Sequence, residues 1–267
     1  MAKILFSDLD GTIIGKKAVP LHEKNISALK TLREQGHIVA LCTGRNNIDI
    51  LPTLKAVDIP YDYMVLCNGA YIVDREGKII YQNNIPKDLG EKMLSTFIKE
   101  DRLMVYFCDG KSCVVKKKDG IHIIDEKGDI TSYQDFSMFE TKMYEAKFYT
   151  IFGINQEDEK TGFLDGYVKK TMPLFEKEIS WSYNTAFIDI MGPNSSKGLG
   201  MKKLAEYLGI EHENIYAVGD SYNDISMIES AKHGYTFRRS DEVVQKKANH
   251  LVDYLYEVVE DILEENS

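Results

Sequence analysis

The sequence predicts an α/β protein: a Rossmann-like, doubly wound parallel sheet interrupted by a separate α+β module. Three observations predict it. Strand and helix patterns alternate over residues 1–83 and again over 191–267, and residues 84–190 between them carry mostly strands with turn signals. A chain of 267 residues, 43% of them hydrophobic, is long enough to bury a core in both parts.

The elements follow in order. "KILFSDL" is a continuous apolar run of strand length, the pattern of a strand covered on both faces. "HEKNISALKTLREQG" sets Ile26, Ala28, Leu29 and Leu32 on one helical face, with Gly36 as its stop. "HIVALCT" reads as a second buried strand, "NNIDILPTLKAV" as a helix weakened by Pro52, and "YDYMVLCNG" as a third strand. "AYIVDREGKIIYQ" is a hairpin turning at Arg75-Glu76-Gly77. The module opens with the helical "KDLGEKMLSTFIKED". Four strands then follow: "LMVYFCDG", "KSCVVKKKDG", "MYEAKFYTIFGI" and "EISWSYNTAFIDIM". The alternation resumes with the helix "KGLGMKKLAEYLG", the strand "NIYAVGD", the helix "NDISMIESAKHG", the strand "GYTF" and the helix "DYLYEVVEDILEE".

Composition excludes several classes. A net charge of −9 argues against general binding to nucleic acid or to an anionic membrane. No apolar run approaches the ~18 residues of a membrane span. The four cysteines form no C-x-x-C pair and the start shows no signal-peptide pattern, so reduced thiols in a cytoplasmic protein are expected. A monomer or weak homo-oligomer is the expected state.

Chemistry gathers at four places. Asp8 and Asp10 close the first strand, Thr43 closes the second in "CTGR", Lys197 opens a helix in "SSKG", and "GDSYND" brings Asp220, Asn223 and Asp224 after the strand "IYAV". Ligands of open parallel sheets bind beyond the carboxyl ends of the strands, where the topology switches. These residues therefore converge if the sheet forms. Carboxylates so gathered repel one another unless a divalent cation neutralises them, and an oxygen-only donor set suits Mg²⁺. One lysine, one hydroxyl and helix N-terminal amides suit the oxygens of a phosphoryl group.

These residues resemble the haloacid dehalogenase-like superfamily, mainly phosphatases, whose four motifs stand here in order as "DLDGT", "CTGR", Lys197 and "GDSYND". The module between the second and third motifs resembles the cap of the Cof-type, class IIB branch. The resemblance implies a core from residues 1–83 and 191–267 with an inserted cap over 84–190. It implies Asp8 as nucleophile, forming an aspartyl-phosphate, and Asp10 as acid and then base. Asp8, the Asp10 carbonyl and Asp220 would hold Mg²⁺, with Asp224 in support. Lys197, Thr43, Asn223 and the Leu9 and Gly44 amides would receive the phosphoryl oxygens. Mg²⁺ and Lys197 should hold the Asp8 pKa down. The implied substrate is a small phosphorylated metabolite, sugar phosphates first. Pyridoxal phosphate or flavin mononucleotide, a phosphosugar mutase reaction, and a non-catalytic phosphate sensor are the alternatives.

Simpler readings fit less well. "DLDGT" fails the calcium-loop pattern at Thr12 and Ile13, "GPNSSKG" reverses the Gly-Lys order of a phosphate loop, and no G-x-S-x-G elbow is present. Asn68-Gly69 reads as turn chemistry that could also face the site. "KKKDG" reads as a solvated hairpin turn, and Trp181, Tyr183 and Phe187 as sheet packing. Arg238 and Arg239 depart from the small, glycine-containing stretch usual in the branch after the strand "GYTF".

Overall fold

The structure, a computed structural model, describes residues 2–15, 23–156, 163–175, 177–184 and 187–264. His22 and Glu265, at the ends of two expected helices, and residues 185–186 of an expected strand lie outside these. Along the chain come β1 (Ile4–Ser7), α1 (Glu23–Glu34), β2 (Ile38–Cys42), α2 (Leu51–Ala56), β3 (Tyr63–Leu66), β4 (Tyr71–Asp74) and β5 (Ile79–Gln82). Next are α3 (Lys87–Phe97), β6 (Leu103–Cys108), β7 (Ser112–Lys117), β8 (Gly120–Asp125), β9 (Ile130–Tyr133) and α4 (Ser137–Glu145). β10 (Ile151–Gln156), α5 (Phe163–Thr171), β11 (Ser180–Asn184) and β12 (Phe187–Met191) follow. The chain ends with α6 (Lys197–Leu208), β13 (Ile215–Val218), α7 (Ile225–Ser230), β14 (His233–Phe237), α8 (Glu242–Gln245), β15 (His250–Val252) and α9 (Leu255–Glu264).

The chain divides into two compact units. The first comprises Met1–Gly44, Thr53–Tyr81 and Ser196–Ser267. Its sheet has the order β15-β14-β13-β1-β2-β3-β4-β5. The strands from β15 to β3 are parallel, and β4 turns back antiparallel on β3. β1 and β13 are buried along their whole length, as continuous apolar runs demand. β1 sits between β2 and β13, so the chain leaves it to one side first and returns on the other much later. That is the switch point at which such sheets bind ligands. In α1 the buried positions are Asn25, Leu29 and Leu32, while Ile26 and Ala28 are half-buried. Asn25 is tolerated inside because its amide accepts from the Tyr256 N–H at 3.2 Å and donates to the Thr12 carbonyl at 3.5 Å.

The second unit comprises Arg45–Pro52 and Gln82–Ser195. Its sheet, in the order β11-β12-β10-β6-β7-β8-β9, is antiparallel at every pairing. One face carries Val105, Phe107, Phe152, Ile154 and Ile188 into a core shared with α3, α4 and α5. Phe107 meets Phe139 and Tyr149 edge-on at 5.2 and 5.4 Å.

Several expectations change here. "MYEA" ends helix α4 instead of opening a strand, because Phe139 and Met143, one helical turn apart, both enter the core. The single strand expected over 178–191 is two, β11 and β12, paired from Ser180↔Met191 to Asn184↔Phe187. The four cysteines are not all free. Cys108 and Cys113 face each other across β6 and β7, 4.2 Å apart at Cα, and form a disulfide, while Cys42 and Cys67 are free and buried. Directly opposed positions of an antiparallel pair bring two side chains within disulfide reach, which a reading from compartment alone does not register. No helix among the described residues is long and apolar enough to cross a membrane.

Candidate active site

The residues expected to carry chemistry gather in the first unit, at the carboxyl ends of β1, β2, β3 and β13. The Asp8 N–H donates to the Val218 carbonyl at 2.9 Å, so β1 and β13 stay paired until the acidic residues begin. α6 delivers Lys197 at its first turn. Ser196 caps the helix, accepting from the Leu199 N–H at 3.1 Å, and the Gly198 N–H donates to Ser226 Oγ at 3.1 Å. These bonds fix the start of the helix, and Lys197 there is only 1% exposed.

Lys197 Nζ donates to Asp8 Oδ1 at 2.7 Å and to Asp224 Oδ1 at 2.6 Å. Asp224 is fully buried. Its second oxygen accepts from the N–H groups of Asp220 and Ser221 at 3.0 and 2.9 Å and from Ser221 Oγ at 3.1 Å. Gly219 makes this possible: a Cβ there would lie 2.4 Å from the Asp224 carboxylate carbon. Carboxylate oxygens of Asp8, Asp220 and Asp224 lie within 4.8 Å of one another.

Asp8 and Asp224 share one ammonium with the Asp220 carboxylate close by, and burial decides the protonation of Asp8. Burial is the largest influence on Asp8, the Asp224 and Asp220 charges add to it, and Lys197 opposes both, so the carboxyl is pushed up to about 7. The expectation that Asp8 would be held down therefore does not hold for the side chains alone. Burial disfavours the charged Lys197, but Asp224 and Asp8 together outweigh it and hold the ammonium above its ordinary range. Burial pushes the Cys42 thiol up, so it behaves as a small core residue.

Asp8 Oδ2 is buried with no hydrogen-bond partner among the described residues. An unsatisfied carboxylate oxygen is costly to bury. Here it lies within a cluster of oxygen donors, which fits a hard divalent cation. The residues present therefore fit a metal centre.

The other expected site residues fall around this cluster. Leu9 is fully buried and Thr43 nearly so. Thr43 closes β2, its N–H donating to the Val65 carbonyl at 2.9 Å. Asp10 is half-buried in the turn after β1 and is not part of the grouped carboxylates. Asn223 donates to Asn68 Oδ1 at 3.1 Å and accepts from Ser221 Oγ at 2.9 Å. Asn68 is buried with φ 48°, and a Cβ added at Gly44 would lie 3.2 Å from its amide nitrogen. It thus joins the loops after β2, β3 and β13. The sequence signal for it was an Asn-Gly pair directly after a third parallel strand. Ser221, which braces both Asn223 and Asp224, carried no separate signal.

Residues 5–258 match the model of the haloacid dehalogenase-like hydrolases, and the chain belongs to that family. It is a phosphatase of that family. It is 26% identical to the 5-amino-6-(5-phospho-D-ribitylamino)uracil phosphatase YwtE of Bacillus subtilis, over 92% of this chain and 91% of that one. It is 27% identical to the pyridoxal phosphate phosphatase YbhA of Escherichia coli, over 94% and 93%. Its fold matches that of the subclass IIB sugar phosphatase BT4131 with a TM-score of 0.72 at 20% identity, over 99% of each chain.

Proposed function

We propose that the enzyme is a Mg²⁺-dependent phosphomonoesterase working through an aspartyl-phosphate on Asp8, with sugar phosphates as its first substrate class. The observation that carries this reading is the Lys197 ammonium held between Asp8 and Asp224 with the Asp220 carboxylate alongside. Asp8 and Asp220 would hold the ion with the Asp10 carbonyl. Asp224, both of whose oxygens are engaged, would fix Lys197 and the loop behind them. Bound there, Mg²⁺ would offset the carboxylate charge and polarise the phosphoryl group.

The chain's own groups supply the rest. An Asp8 oxygen attacks phosphorus as the bond to the leaving oxygen breaks, and Asp10 gives that oxygen its proton. Asp10, now ionised, takes a proton from water as the water oxygen attacks the phosphorus of the aspartyl-phosphate. Inorganic phosphate leaves and Asp8 is restored. Lys197, Thr43, Asn223 and the Leu9 and Gly44 amides would receive charge on the phosphoryl oxygens. In the proposal the enzyme acts in the cytoplasm, as a monomer or weak homo-oligomer.

A second substrate reading, phosphorylated cofactors or their precursors, is favoured by the two relatives named for such compounds. A panel of sugar phosphates, pyridoxal phosphate and flavin mononucleotide, assayed with and without Mg²⁺, separates the two. Phosphate release is expected only with the ion. An isomeric sugar phosphate without phosphate release would indicate a mutase, and no turnover of any ester would leave a sensor.

A further inference from the structure

Arg239, two residues beyond β14, reaches back to the acidic turn. Its guanidinium lies over the Phe237 ring, 3.7 Å from the centroid. Nη1 donates to the Asp253 carbonyl and Nη2 to the Gly11 carbonyl, both at 2.7 Å. Gly11 follows Asp10 and has φ 96°, a conformation that side chains strain. Within the turn the Gly11 N–H donates to the Ile14 carbonyl and the Ile13 and Ile14 N–H groups both donate to the Leu9 carbonyl, while the Thr12 carbonyl accepts from Asn25 of α1 at 3.5 Å. The Gly11 carbonyl takes its hydrogen bond from outside the turn, from Arg239.

We propose that Arg239 is a positioning residue for the reaction: by clamping the Gly11 peptide to the loop between β15 and α9, it fixes where Asp10 points. This rests on the reading of Asp10 as the acid and base. A guanidinium suits the task for three reasons. It stays charged, its planar fork spans two carbonyls at once, and stacking on Phe237 supports its plane. Displacing a reacting group by about 1 Å can cost ~100-fold in rate, so a loosened turn should be visible in turnover.

The test compares wild type with Arg239→Met, which keeps an apolar stem for Phe237 but no donor, and Arg239→Lys, which keeps the charge but loses the fork. Hydrolysis of an aryl phosphate is measured with saturating Mg²⁺, and amide hydrogen exchange is followed across residues 11–14. We expect Arg239→Met to lower kcat about ten-fold or more with KM within about two-fold, and Arg239→Lys to fall between it and wild type. We expect the Ile13 and Ile14 amides to exchange faster in Arg239→Met while those of β13 keep their protection. A merely structural residue would lower the melting temperature and leave turnover per folded molecule unchanged. Wild-type kcat, a loss confined to KM, or unchanged exchange at Ile13 and Ile14 in Arg239→Met overturns the proposal. If that variant does not fold, the same criteria applied to Arg239→Lys decide. Asp10→Asn is run alongside. Full activity there would sink the acid–base reading itself, whereas an inactive Asp10→Asn beside fully active Arg239 variants sinks the clamp alone.

Discussion

The two sheets of this chain treat polar side chains in opposite ways. In the parallel sheet, β1, β2, β3 and β13 are apolar and mostly buried until they stop, and Asp8, Thr43, Asn68 and Asp220 stand just beyond their last residues. In the antiparallel sheet the polar groups alternate within the strands. His122 and Ser132 bond each other at 2.9 Å across β8 and β9, and Tyr106 of β6 donates to Asp189 of β12 at 2.5 Å. Parallel strands gather charge at one edge, where chemistry can use it and where it repels itself. Antiparallel strands spread polar groups along a face, where each can be paired in place. Substitutions in the first region should cost turnover more than folding, and in the second folding more than turnover.

Asp8→Asn gives the largest separation. Loss of the proposed nucleophile should lower kcat on an aryl phosphate by about a thousand-fold or more. At neutral pH without Mg²⁺, the Asp8 carboxyl, pushed up to about 7, is already partly protonated. A neutral amide in its place should therefore change urea-unfolding stability by no more than about 1 kcal/mol. A variant keeping a tenth of wild-type activity would break the comparison.

Lys197→Met should be the exception within the parallel sheet. It leaves Asp8 and Asp224 buried without their shared cation, and breaking such a pair costs about 3–5 kcal/mol. Turnover and folding should fail together. Adding Asp224→Asn, which removes one of the stranded charges, should restore part of the stability but none of the activity. Urea midpoints of the single and double variants check this.

The raised Asp8 pKa also fixes the sign of a pH effect. Without metal, the folded state holds the Asp8 proton up to about pH 7, whereas the unfolded chain loses it near 3.8. The stability from this group is complete below the lower value and is lost as pH rises through the upper one. A bound cation needs the carboxylate, so protons compete with it. The rise in melting temperature on adding Mg²⁺ should therefore be larger at about pH 8 than at about pH 5.5. An equal rise at both would remove Asp8 from the metal site.

Legibility followed the same division. The core was readable because acidic residues interrupt apolar runs: "ILFS" followed by Asp8 and Asp10, and "IYAV" followed by Asp220 and Asp224, conflict with strand propensity unless a site explains them. Asn68 was half-read, since an Asn-Gly pair means a turn whether or not its amide is buried against Asn223. The antiparallel unit was less readable. β8 and β9 are largely half-buried or exposed with Lys, Gly and Asp between them, α5 begins without a strong stop–start signal, and the "MYE" that ends α4 runs within a few residues into the β-rich "FYTIFGI". There long-range pairing, not local pattern, selects the structure. The Cys108–Cys113 bond escaped for the same reason: it depends on register, which spacing alone does not supply.

The smallest expected effect tests the antiparallel side. Tyr106→Phe removes only the hydroxyl that donates to Asp189, a residue 8% exposed. The ring remains, edge-on to Phe187 at 6.5 Å and close against Gly153, where a Cβ would lie 2.7 Å from it. Packing is thus preserved, and the cost is that of one hydrogen bond to a buried carboxylate, about 1.5–3 kcal/mol. Turnover of the aryl phosphate should stay within two-fold of wild type, because no step in the proposed reaction draws on this pair. Asp189→Asn, which still accepts from the Tyr106 hydroxyl without burying a charge, should be milder than Tyr106→Phe if the cost comes from the carboxylate losing its donor. A Tyr106→Phe enzyme with normal stability and collapsed turnover would show that polar groups on the antiparallel face do chemistry after all, and the contrast between the two sheets would fail there.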